Sequence, residues 1–219
     1  MIKNIIFDFD GVIVDSEVLV SKAFAEYFIK IDNSLTEEDF YEYAGLKTID
    51  VIDILSNKFN INNKKKFQSE IFEITSNIYY KNLELVQGVK KFVLNTNKKL
   101  FIGSNSNKKR IIEGLKIVGL SSIFYEQKVY SFDMVKKPKP SPDIYLKVLY
   151  DNNLNLEETL IIEDSGVGVK AGTLAGVKVF GLTAGKHWHS KRDTNELYIN
   201  GAINVYDSYK NIERAIEGL

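Results

Sequence analysis

Short apolar segments alternate with helical patterns along most of this chain, and this alternation constrains the fold more than any other feature. The strand-like segments are rich in β-branched and aromatic residues; they span residues 2–7, 99–103, 128–131, 159–162 and 177–180, with a weaker candidate at 202–205. The helical patterns between them span residues 88–96, 109–118, 142–152 and 166–175. Alternation of strand and helix predicts an α/β fold, in which helices cover both faces of a parallel sheet.

Residues 16–82 interrupt this alternation with helical patterns alone. Apolar residues recur there at spacings of three and four in three separate stripes. Ser34 and Glu37 resemble a capping box that opens a further helix. Four helices without a strand predict a helical subdomain inserted after the first strand. We therefore expect a core of residues 1–15 and 83–219 and an inserted cap of residues 16–82.

Composition limits the classes of partner. Lys plus Arg is 29 and Asp plus Glu is 29, and a net charge of zero argues against binding to nucleic acid or to a membrane surface. The absence of cysteine excludes a disulfide framework, a thiolate metal site and a cysteine nucleophile. The sequence contains neither a signal-peptide pattern nor an apolar run of about eighteen residues. We expect a soluble, cytoplasmic protein without nucleic-acid or membrane partners.

Polar side chains follow four of the predicted strands. In strand order they are Asp8 and Asp10, residues 104–107, Lys139, and residues 163–164. Ligands of an open parallel sheet bind outside the carboxyl ends of its strands. Two acidic clusters, a hydroxyl group and a lysine are therefore expected to converge at one edge of the sheet.

This set of groups suits phosphoryl transfer. Carboxylates from different strands form a hard oxygen site that favours Mg²⁺, and Mg²⁺ lets an anionic substrate approach an anionic nucleophile. Lysine and serine can bind the phosphoryl oxygens. Asp8 can attack phosphorus to form an aspartyl-phosphate, and Asp10 can protonate the leaving oxygen and later deprotonate water.

Each motif also has an ordinary structural explanation. The Asp8-x-Asp10 pair is common as a turn, and residues 104–107 are typical of a polar turn before a helix. Residues 139–142 fit a loop followed by a helix N-terminus, and residues 164–166 fit a helix cap. Because all four motifs follow strands, we favour a functional site over four separate structural coincidences.

Residues 8–17, which read DFDGVIVDSE, resemble the first motif of the haloacid dehalogenase (HAD) superfamily. Residues 103–106, 139–145 and 161–168 resemble the other three motifs, in the same order and with similar spacing. The resemblance covers the whole chain and is closest to the β-phosphoglucomutase-like branch, which also holds many sugar-phosphate and polyol-phosphate phosphatases. It implies a Rossmann-like parallel core with an inserted helical-bundle cap, and a monomer.

The resemblance implies a role for each matched acid. Asp8 matches the nucleophile, which is also a Mg²⁺ ligand. Asp10 matches the general acid/base, whose backbone carbonyl binds the metal. Asp164 matches the remaining metal ligand, and Glu163 matches an acidic neighbour that contacts the metal directly or through water.

The resemblance also implies a phosphate-binding set. Ser104 and Lys139 match its members, and we assign Asn105 to the same set. Lys136 and Lys137 are rivals for the lysine role. Lys139 is preferred because it alone keeps the Lys-Pro-x-Pro-Asp spacing.

The cap bears on the reaction type. A β-phosphoglucomutase typically carries a cap histidine and a cap arginine, but Val20 stands where the histidine would fall, and the loop of residues 44–48 has no arginine. Gly45 and Lys47 in this loop are candidate substrate-specificity residues. We therefore expect a Mg²⁺-dependent phosphatase that hydrolyses a small sugar or polyol phosphate, with a phosphosugar mutase as the alternative.

A phospho-aspartate signalling module is a more distant alternative. Such modules also gather acids, a hydroxyl group and a lysine on a parallel sheet. They normally place the phosphorylated aspartate at a middle strand and carry no helical insertion after the first one. Asp8 at the first strand and the insertion at residues 16–82 both argue against this alternative.

Residues 182–189 contain both histidines and the only tryptophan of the chain. The segment follows a predicted strand and is rich in small and polar residues. We predict a surface loop, with a contact at the rim of the active site as the alternative. A metal site is disfavoured because His187 and His189 have no carboxylate near them in sequence.

Overall fold

The computed structural model describes residues 1–43, 48–189 and 192–218. Contacts between residues divide the chain into two compact units. One unit comprises Met1–Asp15 and Glu84–Leu219, and the other comprises Ser16–Leu83. We propose that these units are the catalytic core and the inserted cap.

A six-stranded parallel sheet forms the centre of the first unit. Its strands are β1 (Asn4–Phe7), β2 (Lys99–Ser104), β3 (Val129–Ser131), β4 (Thr159–Glu163), β5 (Lys178–Leu182) and β6 (Asn204–Tyr206). Their order across the sheet is β3-β2-β1-β4-β5-β6. Every residue of β1 and β4 is buried, as expected for parallel strands covered by helices on both faces. The predicted α/β fold with a Rossmann-like parallel sheet is confirmed.

Helices follow the strands and cover the sheet. They are α4 (Val89–Asn95), α5 (Lys108–Ile117), α6 (Asp143–Asp151), α7 (Gly166–Leu174), α8 (Asn195–Ile199) and α9 (Tyr209–Glu217), numbered after the three helices of the second unit. Side chains cap two of them directly after strand ends, since Asn107 accepts from the Arg110 N–H and Ser165 accepts from the Gly168 N–H. β2 and β4 therefore each pass into a helix through a short polar turn, which carries residues of interest.

The strand order determines where these turns meet. The chain builds outward from β1 through β2 to β3, then returns to the other side of β1 with β4. Phe7 pairs with Ile102 on one side and with Ile162 on the other. The carboxyl ends of β1, β2 and β4 therefore lie side by side at the point where the order reverses, where ligands of this architecture bind.

The second unit is helical. It contains α1 (Glu17–Ile29), a 3₁₀ segment (Glu37–Tyr43), α2 (Thr48–Lys58) and α3 (Lys64–Asn82). Aromatic rings form the centre of its core, where Phe28 stacks on Phe59 with ring centroids 4.1 Å apart and contacts Phe40 and Phe67. Burial of these large apolar rings supplies the main stabilisation of a helical unit of this size.

The predicted capping box at Ser34 is wrong. The Ser34 N–H and hydroxyl both donate to Asp32 Oδ1, at 2.9 and 2.6 Å. Two residues later, the Thr36 N–H and hydroxyl donate to Asp39 Oδ2, at 2.8 and 3.0 Å. The segment that follows is a 3₁₀ turn instead of an α-helix. Several Ser, Thr and Asp residues compete for the same turn amides here, so spacing alone did not identify the pair that forms.

The longest helix in the described ranges is α3, with 19 residues. Three lysines form its first turn, and Glu70 and Glu73 follow within the helix. Within the parts of the chain that the structure describes, no helix is long and apolar enough to cross a membrane.

Candidate active site

Three carboxylates meet at the ends of β1 and β4. Asp8 directly follows β1, Glu163 is the last residue of β4, and Asp164 comes next. The two strands are neighbours in register, so these residues emerge side by side. One oxygen from each carboxylate lies within 4.8 Å of the others, and the residues are only 8%, 0% and 5% exposed. Three of the four predicted acidic residues therefore form one buried cluster.

The Lys139 side chain enters this cluster. Its Nζ donates to Asp8 Oδ1 and to Glu163 Oε1, at 2.6 Å in both cases. The side chain is almost completely buried, whereas Lys136 and Lys137, its predicted rivals, are exposed. Among the candidate lysines, Lys139 is thus the one placed to act on an anion bound beside Asp8.

Glu163 is held by five hydrogen bonds. Lys139 Nζ and the Tyr145 hydroxyl donate to Oε1, at 2.6 and 2.8 Å. The Asp164 N–H and the N–H and hydroxyl of Ser165 donate to Oε2, at 3.0 to 3.2 Å. A carboxylate offers about four lone-pair sites, so direct binding of a metal ion would displace one of these donors. Of the two predicted modes for Glu163, contact with the metal through water is therefore the one this geometry favours.

The end of β2 supplies the predicted phosphate-binding residues. Ser104 is buried, and its Oγ accepts the Ser106 N–H at 3.1 Å. The Asn105 amide instead exchanges two hydrogen bonds with the Lys139 backbone, donating to its carbonyl at 3.2 Å and accepting its N–H at 2.9 Å. The Asn105 side chain thus anchors the loop that carries Lys139, and the phosphate-binding role predicted for Asn105 stays a prediction.

Asp10 is held by Ser106, which the sequence analysis included among the polar residues after β2 without a role, and by Arg110, which it missed. The Ser106 hydroxyl donates to Asp10 Oδ2 at 2.5 Å, and Arg110 Nη2 donates to Oδ1 at 3.1 Å. Arg110 lies in the first turns of α5, which begins just after β2. The Asp10 carboxyl is therefore oriented in the structure by groups from the neighbouring strand end. Tyr145, which contacts Glu163, was missed in the same way.

The prediction of a surface loop at residues 182–189 is wrong for its central residue. His187 is 1% exposed, and its Nε2 lies 2.9 Å from Asp164 Oδ2. The alternative of a contact beside the active site describes this residue better. Burial became possible because Gly185 and Gly11 flank the imidazole, and a Cβ on either residue would meet the ring at 3.0 Å or less.

Burial and like charges dominate the electrostatics of the cluster. Burial raises the pKa of Asp8 well above its usual range; Glu163 and Asp164 add to this effect, and Lys139 opposes it. Burial and the Glu163 charge likewise raise the pKa of Asp164 well above its usual range. Burial alone would lower the pKa of Lys139, but the charges of Asp8 and Glu163 raise it above the usual value.

The donor set can be tested for its fit to Mg²⁺. Lys139 pairs with two of the three buried carboxylates, which leaves a local excess of negative charge. A divalent cation would relieve this excess, and hard carboxylate oxygens are the ligands that Mg²⁺ prefers. Asp8 and Asp164 therefore fit the role of ligands predicted for them, with Glu163 beside them.

Gly45 and Lys47, the candidate specificity residues, lie outside the described residues. Their predicted contact with substrate stays a prediction. Val20, which stands at the position of the mutase histidine, lies within α1.

Gly11 gives a prediction with a matched control. Its φ is +76°, and a Cβ there would lie 1.9 Å from Asp164 Oδ2. Gly119 has a φ of +73°, but a Cβ there would meet no atom of the described residues within 4 Å. We expect Gly119→Ala to show only the backbone cost, about 1–2 kcal/mol. Gly11→Ala should lose a further ~1–3 kcal/mol from overpacking and reduce phosphate release at least about tenfold.

Urea unfolding and phosphate-release assays on the two variants measure these effects. Equal free energies of unfolding and equal activities would show that the close approach of Gly11 to Asp164 has no consequence.

Comparison with known proteins covers most of the chain. A family model described as haloacid dehalogenase-like hydrolase matches residues 5–182. A 6-phosphogluconate phosphatase of Escherichia coli is 25% identical over 188 residues, which cover 85% of each chain. A phosphorylated carbohydrates phosphatase of Thermotoga maritima is 28% identical over 206 residues, which cover 92% of each chain. Pyrophosphatases are also among the matches.

Solved structures share the fold. A conserved haloacid dehalogenase-like protein of Agrobacterium tumefaciens superposes with a TM-score of 0.87 at 24% identity, covering 100% of this chain and 99% of that one. Structures that carry a provisional β-phosphoglucomutase name are among the neighbours as well. Similarity of fold therefore does not distinguish phosphatase from mutase chemistry.

Proposed function

This chain belongs to the haloacid dehalogenase-like hydrolase family and is a phosphoric monoester hydrolase, and on that premise we propose that it is a Mg²⁺-dependent phosphatase of small sugar or polyol phosphates that acts through an aspartyl-phosphate. The observation that carries the proposal is the buried contact of Lys139 Nζ with Asp8 Oδ1 at 2.6 Å, beside Glu163 and Asp164. This contact supports a role for Lys139 as the cation that binds the phosphoryl group beside the proposed nucleophile.

Substrate binding uses the groups around Asp8. Lys139 provides a buried positive charge for the phosphoryl oxygens, and the Ser104 hydroxyl provides a hydrogen-bond donor at the end of β2. The five hydrogen bonds on Glu163 and the two from Asn105 keep Lys139 and its loop in place. A bound phosphate would replace part of the contact that Lys139 makes with Asp8. The nucleophile is then released from its ion pair at the moment the substrate arrives.

In the first chemical step, an oxygen of Asp8 attacks phosphorus and the bond from phosphorus to the leaving oxygen breaks. Asp10 gives its proton to that leaving oxygen, which departs as an alcohol. The Ser106 and Arg110 contacts orient the Asp10 carboxyl for this transfer. The products of the step are the free alcohol and a phosphoryl group covalently bound to Asp8.

In the second step, water attacks phosphorus and the bond between phosphorus and Asp8 breaks. Asp10, now a carboxylate, takes the proton from the attacking water. Inorganic phosphate leaves, and both aspartates return to their starting states. Asp10 therefore serves as acid in one step and as base in the other.

Asp8, Asp164 and the Asp10 backbone carbonyl would hold Mg²⁺, with Glu163 beside them. When bound, the cation neutralises charge so that an anionic phosphate can approach anionic Asp8. The phosphatase and sugar-phosphate names of the relatives support a substrate with one phosphoryl group on a small polar body.

A phosphosugar mutase is the second candidate, because structures with that provisional name share this fold. Such an enzyme would transfer the phosphoryl group of Asp8 back to a bound sugar. Val20 in place of a histidine and the arginine-free loop of residues 44–48 count against it. A signalling module is less consistent still with the hydrolase family and the phosphatase relatives.

A substrate panel tests the proposed function. Phosphate release would be measured from 6-phosphogluconate, hexose phosphates, glycerol phosphate, phosphoglycolate and pyrophosphate, with Mg²⁺ and with chelator. We expect release from at least one sugar or polyol phosphate, loss of release in chelator, and recovery on adding Mg²⁺. Release that chelator leaves unchanged would contradict the metal requirement.

The same panel separates the two reactions. β-Glucose 1-phosphate, primed with the bisphosphate, would be followed in parallel for glucose 6-phosphate. Isomerised sugar phosphate with little free phosphate would establish the mutase and overturn the proposed phosphatase.

A further inference from the structure

The segment after β5, residues 183–189, takes no part in the proposed mechanism. Its His187 is nevertheless among the most buried polar residues of the chain, at 1% exposure. The imidazole Nε2 lies 2.9 Å from Oδ2 of Asp164, which is a proposed metal ligand. Burying an imidazole costs free energy unless a polar partner compensates. Oδ2 of Asp164 is the charged atom that approaches the ring at this distance, so the two side chains are in direct contact.

The chain is anchored just before His187. The Lys186 N–H donates to Asp15 Oδ1 at 3.1 Å, and Lys186 Nζ donates to Glu84 Oε2 at 2.7 Å. Asp15 is itself buried, at 4% exposure. These contacts hold the segment against the turn that follows β1, on the same side as the carboxylate cluster.

The chain is also anchored just after His187. The Trp188 N–H donates to the Gly185 carbonyl at 3.0 Å, which closes a tight turn around the histidine. The Arg192 guanidinium lies 4.0 Å from the centroid of the Trp188 ring, and Arg192 also pairs with Glu196 of α8. The stacked pair holds the turn from its outer side. The imidazole is therefore carried by a backbone fixed on both sides.

Two glycines make room for the imidazole. A Cβ on Gly185 would lie 2.7 Å from the ring, and a Cβ on Gly11 would lie 3.0 Å from it. The same Cβ on Gly11 would also clash with Asp164 Oδ2, at a distance of 1.9 Å. The ring and the carboxyl thus share one close-fitting space, in which neither can rotate freely.

We propose that His187 is a positioning residue for Mg²⁺, an inference that rests on the proposed function. Its imidazole fixes Asp164 through Oδ2 and leaves the other carboxylate oxygen to the cation. Mg²⁺ prefers oxygen ligands, so the imidazole acts on the carboxylate and not as a ligand itself. Groups that orient a ligating carboxylate typically contribute about 10–100-fold to metal affinity.

Calorimetric titration of Mg²⁺ alone into chelator-treated protein at one fixed pH tests this inference. His187→Leu replaces the imidazole with an apolar group of similar size and removes the N–H donor. Its Kd for Mg²⁺ should rise about 10–100-fold. His187→Gln places an amide nitrogen near the position of Nε2, and its Kd should stay within about threefold of wild type. His189→Leu, two residues along the same segment, is the matched control and should bind Mg²⁺ as wild type does.

Thermal unfolding in chelator separates positioning from packing. A leucine variant with unchanged Mg²⁺ affinity would overturn the inference, as would leucine and glutamine variants that lose affinity equally. Should the leucine variant not fold, His187→Asn replaces it, since its shorter amide does not reach the Nε2 position. Phosphate release by the wild type, measured in parallel, shows separately whether the proposed function holds.

Discussion

Asp8→Asn should abolish phosphate release. The amide oxygen is a far weaker nucleophile than the carboxylate, and no covalent intermediate can form at that position. Loss of the nucleophile from a covalent catalyst costs up to ~10⁶-fold, and we expect kcat to fall by at least about 10⁴-fold. Initial rates with saturating Mg²⁺ on the best substrate of the panel measure this effect.

Asp133→Asn is the matched control. Asp133 lies in the 3₁₀ turn after β3 and is exposed. Its Oδ1 accepts a long hydrogen bond of 3.3 Å from the Lys108 N–H at the start of α5. Its variant should retain the wild-type kcat, and both variants should keep the wild-type circular dichroism spectrum. An Asp8→Asn enzyme with a tenth or more of the wild-type kcat would show that another group attacks phosphorus.

Lys139→Met should strongly destabilise the core as well as inactivate it. The lysine side chain is buried and pairs with both Asp8 and Glu163, so methionine leaves two buried carboxylates without their cation. Breaking a buried ion pair from one side typically costs about 3–5 kcal/mol. We expect a loss of this order in the free energy of unfolding, measured by urea denaturation in chelator.

Two further variants test the cause of that loss. Lys136→Met removes an exposed lysine three residues away and should change the free energy of unfolding by less than about 0.5 kcal/mol. Glu163→Gln added to Lys139→Met should recover part of the stability, because one stranded charge is removed. A Lys139→Met protein as stable as the Lys136→Met protein would contradict the ion-pair interpretation.

The sequence was sufficient to predict which strand ends meet. Asp8 and Asp164 each follow an apolar segment, and the carboxyl ends of parallel strands share one edge of the sheet. Lys139 was separated from its rivals by motif spacing, and its burial against Asp8 agrees with that choice. The meeting of these strand ends could be predicted because it depends only on strand direction and on local sequence.

The contacts that orient the site could not be predicted in this way. Arg110 meets Asp10 from a helix 100 residues away in sequence, and His187 meets Asp164 through a turn without regular periodicity. Neither contact follows from the 3.6-residue or two-residue periods that sequence reasoning uses. Gly11 was visible in the first motif, but its importance depends on a positive φ and on the distance to Asp164.

Polar turns were the least predictable elements. The Asn105 side chain binds the backbone of Lys139, a contact that the sequence did not predict. The Ser34 hydroxyl donates to Asp32 and does not cap a helix. Short polar side chains have many backbone and side-chain partners of similar energy, so the tertiary structure decides among them.

Direct detection of the phosphoryl group on Asp8 tests the central claim most directly. The enzyme would be mixed with a substrate labelled in its phosphoryl group, quenched in acid at short times, and analysed by peptide mass spectrometry. The account predicts a label on the peptide that contains Asp8, formed before phosphate is released and absent from Asp8→Asn. Phosphate release without any protein-bound label at the shortest times, or a label on another residue, would contradict it.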